Sequence, residues 1–127
     1  MIVDTSALVS VILLEPEADS LGPRMLSEET SMAAPSALEA HMVLRKHLGD
    51  ATATILREKM AQFGIVIVPL TSEHAGEAAR AFDRFGKGRH PAGLNFGDCV
   101  AYALAKVSGQ ALLFVGDDFS KTDVKIA

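Results

Sequence analysis

The sequence predicts an α/β fold: a three-layer α/β/α sandwich around a parallel sheet of about five strands. Two observations carry that expectation. Short apolar runs alternate with helical patterns along the whole chain, and the runs are continuously apolar instead of alternating with polar residues. Strands buried on both faces read this way, because helices cover both sides of the sheet. With 127 residues and no internal repeat, low-complexity stretch or linker, one domain is expected over residues 1–127.

The elements follow in order. Ile2-Val3 reads as a short buried strand and Thr5 to Leu14 as an apolar helix. Glu15 to Glu29 reads as a second helix, irregular at Gly22-Pro23, and "TSMAAP" (Thr30 to Pro35) as a short strand. Ser36 to His47 predicts a helix ending before Gly49, and Asp50 to Phe63 another. "IVIV" (Ile65 to Val68) is the clearest strand, being β-branched throughout. Thr71 caps a helix whose Ala75, Ala78, Ala79, Phe82 and Phe85 recur at helical spacing. "GKGRHPAG" (Gly86 to Gly93) is a loop by its Gly and Pro content. Phe96 to Ser108 is a helix stopped by Gly109, "ALLFV" (Ala111 to Val115) a strand, "GDDFSKTD" a loop, and "VKI" a short last strand.

Composition narrows the class. The chain is 49% hydrophobic with mean hydropathy +0.24, which excludes a disordered protein. Six Phe, one Tyr and no Trp leave the core to aliphatic residues. Cys99 is the only cysteine, so no internal disulfide can form, and a reducing, cytoplasmic setting is expected. No secretory signal pattern is visible, and the longest apolar run, Ala7 to Leu14, is too short to span a bilayer. Twelve Lys and Arg against sixteen Asp and Glu give a net charge of −4. That balance argues against a nucleic-acid binder relying on a basic surface, but not against one whose bound cations meet the phosphate.

Four acids stand where such cations would be held. Asp4 follows the first strand, Glu39 lies in the helix after the second, Asp98 opens the helix after the long loop, and Asp117 follows "ALLFV". Each also has an ordinary structural explanation. Asp4 can cap the first helix, Glu39 stands at capping-box spacing from Ser36, Asp98 suits the positive end of its helix, and Asp117-Asp118 fits a turn. Together they mean more. In an open parallel sheet ligands bind beyond the carboxyl ends of the strands, and all four acids belong to that edge. Gathered carboxylates repel unless a cation joins them, and oxygen-only ligands suit Mg²⁺ or Mn²⁺. Asp98 leads into the apolar "CVAYALAKV", and Glu39 shares a face with Met42 and Val43, so both are expected in packed surroundings.

The stretches "MIVDTSALV", "SALEAHMVL", "LNFGDCVAYALAK" and "LLFVGDDFSKTDV" resemble, in order, those of the PIN-domain family and specifically its VapC-type toxins. The likeness covers essentially the whole chain. It implies a five-stranded parallel sheet, Mg²⁺- or Mn²⁺-dependent endoribonuclease activity leaving a 5′-phosphate, a homodimer, and a cognate VapB-type antitoxin across the cleft. It carries Asp4, Glu39, Asp98 and Asp117 over as the metal-binding acids, with Ser6 holding Asp4 or a metal-bound water. The Asp117-Asp118 pair lets the match slide by one residue, and Asp117 is favoured as nearer the strand end. Two other readings compete. One is a catalytically weak PIN-like interaction module, against which retention of all four acids argues. The other is an aspartate-based phosphoryl-transfer domain, for which "DTSAL" lacks a second acid two residues after Asp4.

The remaining polar residues carry less. His41, His47, His74 and His90 show no zinc-ligand spacing and suit surface or capping roles. Cys99 has no nearby base and reads as core, as does Tyr102. The one concentrated basic stretch holds Arg80, Arg84, Lys87, Arg89 and His90. It is either a solvated helix end or a rim that guides RNA toward the metals.

Overall fold

The computed structural model describes residues 1–127. Four strands, β1 (Ile2–Val3), β2 (Ser31–Ala33), β3 (Val66–Val68) and β4 (Leu112–Leu113), are all parallel and lie in the order β3-β2-β1-β4. The chain passes from β1 to β2 through α1 (Thr5–Ile12) and α2 (Ala18–Ser27). It reaches β3 through α3 (Ala34–Leu48), a 3₁₀ turn at Gly49–Ala51 and α4 (Thr52–Gln62). It returns to β4 through α5 (Ser72–Phe85) and α6 (Phe96–Ser108). Successive crossovers thus move outward from β1 to β3 and then jump to the other side of β1. The junction of β1 and β4 is therefore the topological switch point, where open α/β sheets form their crevice.

Helix ends follow local chemistry. Asp4 caps α1, and α5 and α6 each open on a capping box, Thr71 with His74 and Asn95 with Asp98. Gly109, at φ 70°, closes α6 in the left-handed conformation that favours glycine. α3 begins at Ala34, two residues earlier than expected, because Pro35 fits a first helical turn.

The pleat of each strand divides the core into two layers. Val3, Met32 and Leu113 face α1 to α4, whereas Ile2, Ala33 and Leu112 face α5 and α6. This confirms the expected sandwich, with three corrections. The predicted fifth strand over "VKI" shrinks to one parallel bridge between Ile126 and Leu112, made by Leu112 N–H donating to Lys125 O and Ala127 N–H to Leu112 O. β4 stops at Leu113 because Val115 N–H leaves the ladder and donates to Ser6 Oγ. β3 is an edge strand, with Val66 and Ile67 exposed, so its apolar run does not mean burial.

The segment after β4 is closed at both ends. Phe119, in a 3₁₀ turn at Phe119–Lys121, is buried with its ring 5.0 Å from that of Phe114. Farther on, Asp123 accepts a 2.6 Å hydrogen bond from the Tyr102 hydroxyl and pairs with Arg84 and Lys106 at 3.2 Å each. Those donors hold the Asp123 carboxyl below its ordinary range, the Tyr102 bond first among them, while burial and that same bond push the phenol up. Tyr102 is core, as expected, but its hydroxyl also ties this segment to α6.

Phe119→Ala is expected to cost about 3–5 kcal/mol in chemical denaturation, the usual range for emptying a buried Phe site. Phe119→Leu, which keeps most of the volume, should cost less. Faster amide hydrogen exchange over residues 116–121 in the Ala variant would show that this ring holds the segment carrying Asp117 and Asp118. Unchanged exchange would show that it does not.

Candidate active site at the carboxyl edge of the sheet

The cleft is built on three consecutive side chains. Asp4 N–H donates to Leu113 O at 2.9 Å, which locks the end of β1 to β4. Thr5 Oγ1 donates to Ser36 O at 3.0 Å, which ties the start of α1 to the first turn of α3. Ser6 donates to Asp4 Oδ2 from both its N–H and its hydroxyl, and its Oγ accepts Val115 N–H at 3.0 Å. The segments carrying Asp4, Glu39 and Asp117-Asp118 are thereby held to one corner. Ser6 holds Asp4, one of the two roles expected of it.

Two acids do the capping that the ordinary explanation supposed. Asp4 caps α1, and Asp98 Oδ2 accepts Asn95 N–H at 3.0 Å while Asn95 Oδ1 accepts Asp98 N–H at 2.9 Å. Glu39 does not, because α3 starts too early for Ser36 to be its cap. Its carboxylate lies instead against Gly97 in the first turn of α6. A Cβ there would sit 2.8 Å from Glu39 Cδ and Oε1 and closer still to Oε2. Gly97 is thus a site residue that the sequence reading missed. The available signal was a poor helix former inside an otherwise strong helix.

Capping does not account for the electrostatics. Asp4 is buried, and burial is the main reason its carboxyl is pushed up to about 6 despite two hydrogen bonds from Ser6, with the charges of Asp98 and Glu39 adding to the rise. Asp98 is raised as well, by burial first, against the Asn95 N–H bond, and then by Asp118 and Glu39. The charge of Glu39 thus bears on both Asp4 and Asp98, and that of Asp118 on Asp98. The acids stand at electrostatic range only: no three His, Cys, Asp or Glu side chains form a ready-made cation cage. Each of the two raised acids accepts a backbone N–H, Asp4 from Ser6 and Asp98 from Asn95.

The two candidates for the fourth acid stand in different surroundings. Asp117 is highly exposed and pairs with Lys121 at 3.6 Å, whereas it is the charge of Asp118 that reaches Asp98. Gly116, at φ 96°, turns the chain between β4 and this pair, and both aspartates are exposed.

Around the acids, other expectations resolve plainly. His74 completes its capping box, and His90 Nδ1 accepts Ala92 N–H at 3.0 Å with its ring edge on Phe85. Cys99 is buried, its thiol pushed up to about 11 by burial and by Asp98. In the basic stretch, Arg84 is engaged by Asp123 and lies over Phe85, and Arg89 lies 5.7 Å from the Phe82 ring centre. Lys87 is exposed, and its N–H donates to Leu94 O, so the loop closes on itself just before Asn95. The face of α3 around Glu39 is not packed as expected. Leu38 and Met42 are exposed and, with Phe96, border an open groove. No helix of the chain is long and apolar enough to cross a membrane.

Comparison with known proteins adds an independent line. The sequence profile of the family described as "PIN domain" matches residues 1–125. "Ribonuclease VapC" of Mycolicibacterium smegmatis is 42% identical over 125 residues, covering 98% of this chain and 97% of that protein. "Ribonuclease VapC36" of Mycobacterium tuberculosis is 42% identical over 127 residues, covering 98% and 91%. Among solved structures, Mycobacterium tuberculosis VapC20, described as a sarcin–ricin loop cleaving toxin, superposes with a TM-score of 0.80. It is 14% identical, with 99% of this chain and 97% of that one covered. A toxin–antitoxin complex from Klebsiella pneumoniae gives 0.73 at 15% identity, covering 99% and 95%.

The raised carboxyl of Asp4 makes a pH prediction for the protein in EDTA. Below its ordinary value of 3.8 the group is protonated in both the folded and the unfolded chain. Between 3.8 and about 6 only the unfolded chain ionises, so stability falls as pH rises, and the loss is complete above about 6. At 1.36 kcal/mol per pKa unit the loss is about 3 kcal/mol. Asp4→Asn keeps the cap and cannot ionise. Its stability relative to the parent should therefore climb by about that amount from pH 4 to pH 7 in urea denaturation. A pH-independent difference would show that Asp4 is not held in the neutral form.

Proposed function

The chain belongs to the PIN-domain family, and on that premise we propose that it is a VapC-type endoribonuclease toxin that hydrolyses RNA phosphodiester bonds with Mg²⁺ or Mn²⁺. The observation that carries this reading is the placement of buried Asp4 and half-buried Asp98 at the β1/β4 switch point, with Glu39 packed on Gly97 beside them and both carboxyls raised by burial and by neighbouring acids. Ribonuclease relatives at 42% identity over nearly the full chain support the activity. The toxin–antitoxin complex of similar fold supports an antitoxin of VapB type as partner, and a homodimer follows the family expectation.

The donor set fits a hard divalent cation, being all oxygen and in electrostatic conflict without one. Asp4, Glu39, Asp98 and Asp118 would hold it, with Asp117 at the rim. Such a cation supplies a lowered pKa for its water and offsets charge on the reacting phosphate. The protein's own share is positioning. Ser6 fixes one oxygen of Asp4 and Asn95 N–H one oxygen of Asp98, so each acid keeps its other oxygen for the cleft. Gly97 leaves the space that the Glu39 carboxylate occupies. Lys87 and Arg89, at the loop leading into Asn95, would steer phosphates, while Arg84 serves mainly to pair Asp123.

Two variants and one metal test this. Mn²⁺ at millimolar excess should raise the melting temperature of the parent and support RNA cleavage that EDTA stops. Asp98→Asn keeps the capping geometry and should fold, yet lose both the thermal shift and cleavage by at least 100-fold. Gly97→Ala should fold as well, since Ala favours helix, while displacing Glu39 and weakening both responses. Gly97→Ala matching the parent in both would remove Glu39 from the site. A parent that ignores Mn²⁺ in melting and in cleavage would sink the metal-nuclease reading.

A further inference from the structure

The outer edge of β4 is only half covered. Along this segment the main-chain groups alternate between two sides. Leu113 O and Val115 N–H turn toward β1 and α1, where they meet Asp4 N–H and Ser6 Oγ. Leu112 turns the other way and is covered by the tail: its N–H donates to Lys125 O at 2.8 Å, and its carbonyl accepts Ala127 N–H at 3.0 Å. Phe114, two residues on, turns the same way as Leu112, and neither its N–H nor its C=O bonds to another main-chain group. A groove of about 310 Å³ lies against this open half, with Ser20, Leu21 and Arg24 of α2 as its far wall. Arg24 is exposed and takes part in none of the ion pairs of the chain. Glu17 also borders the groove, two helical turns, about 10 Å, from Arg24.

We propose that this groove takes an extended segment of another protein, which adds a strand to the free edge of β4 at Phe114 and sets one acidic side chain on Arg24. A free N–H and a free C=O on one residue, turned the same way, match an extended main chain, which presents an acceptor and a donor in turn. Leu21, Val115 and the exposed Ile126 supply apolar contact beside that ladder. Charge limits the occupant further. Arg24 attracts an acid, and Glu17 at the other end repels a second one, so an apolar segment with a single acid fits best. The slot reaches Gly116, two residues before Asp118, so an occupant lies beside the acid cleft, and its binding is independent of the metal and RNA reading above. The opposite edge of the sheet is a poorer template. Val66 N–H turns inward to Thr30 O, so Ile67 and Pro69 turn outward, and Pro69 has no N–H to offer. No groove runs along Val66–Val68.

Amide exchange read residue by residue by NMR, with a blocked Val-Thr-Val-Glu-Val-Thr peptide as probe, tests the slot. In the chain alone the Phe114 amide should exchange as an unprotected one. Saturating peptide should protect it and leave the Ile67 amide unchanged. Methylating alternate main-chain nitrogens of the peptide in one register should weaken binding by about 2- to 13-fold, the range for one neutral hydrogen bond, while methylation in the other register should not. Arg24→Gln should lower affinity for this peptide by about 2- to 5-fold, the range for an exposed ion pair, and leave affinity for the same peptide with Gln in place of Glu unchanged. A Phe114 amide already protected in the dilute chain overturns the slot, because the edge is then satisfied from within. Protection that rises with protein concentration as the mass doubles also overturns it, assigning the edge to a second copy. So does peptide binding that protects Ile67 instead of Phe114, that is equally weakened by both methylation registers, or that ignores Arg24→Gln.

Discussion

Asp4, Thr5 and Ser6 set the geometry on which the cleft depends. A two-residue strand cannot position a carboxylate by itself, so the Asp4 N–H and the Thr5 and Ser6 hydroxyls bind to other segments instead. Asp4 N–H reaches β4, Thr5 reaches the first turn of α3, and Ser6 joins Asp4 to Val115. Each bond is local in space, and those to β4, α3 and Val115 are remote in sequence. Without Thr5, no side-chain hydrogen bond at the cleft would tie α1 to α3, and without the Ser6 hydroxyl the buried Asp4 oxygen would keep only a backbone N–H.

The constraint has an energetic consequence. A carboxyl buried and faced by other carboxylates is held near neutrality, and folding to that arrangement is opposed at neutral pH. Two core layers on either side of the sheet and the closed segment around Phe119 offset that opposition. The acids are therefore kept at electrostatic range by the scaffold, not by attraction among themselves. A divalent cation binding to the folded cleft would release the strain, which is why melting and activity are expected to respond to the same ion.

Gly97 and Phe96 show how a helix start can serve two purposes. Asn95 and Asp98 close the capping box across these two residues, so neither needs a side chain for the helix itself. One has none, and Glu39 occupies the space. The other carries a ring into solvent beside the acids. The same first turn thus packs an acid and presents an aromatic, and the capping bonds hold both in register.

Much of this was legible in the residues. Apolar runs and helical stripes are local patterns, and caps such as Thr71 and Asn95 act within one turn, so element order, the sandwich and the candidate acids could be read before any contact was known. What stayed hidden depended on neighbours far along the chain. β3 is as apolar as a central strand yet lies at the edge, because strand order is a property of crossovers. Met42 looked like core and borders an open groove, because α3 meets its neighbours on a different face. Asp117 is nearer the strand, yet the charge that bears on Asp98 is that of Asp118, a relation through space that distance along the chain does not give. Residue chemistry alone determined which groups could make a site; the tertiary structure decided which of them meet, because burial and charge coupling act through space and not along the sequence.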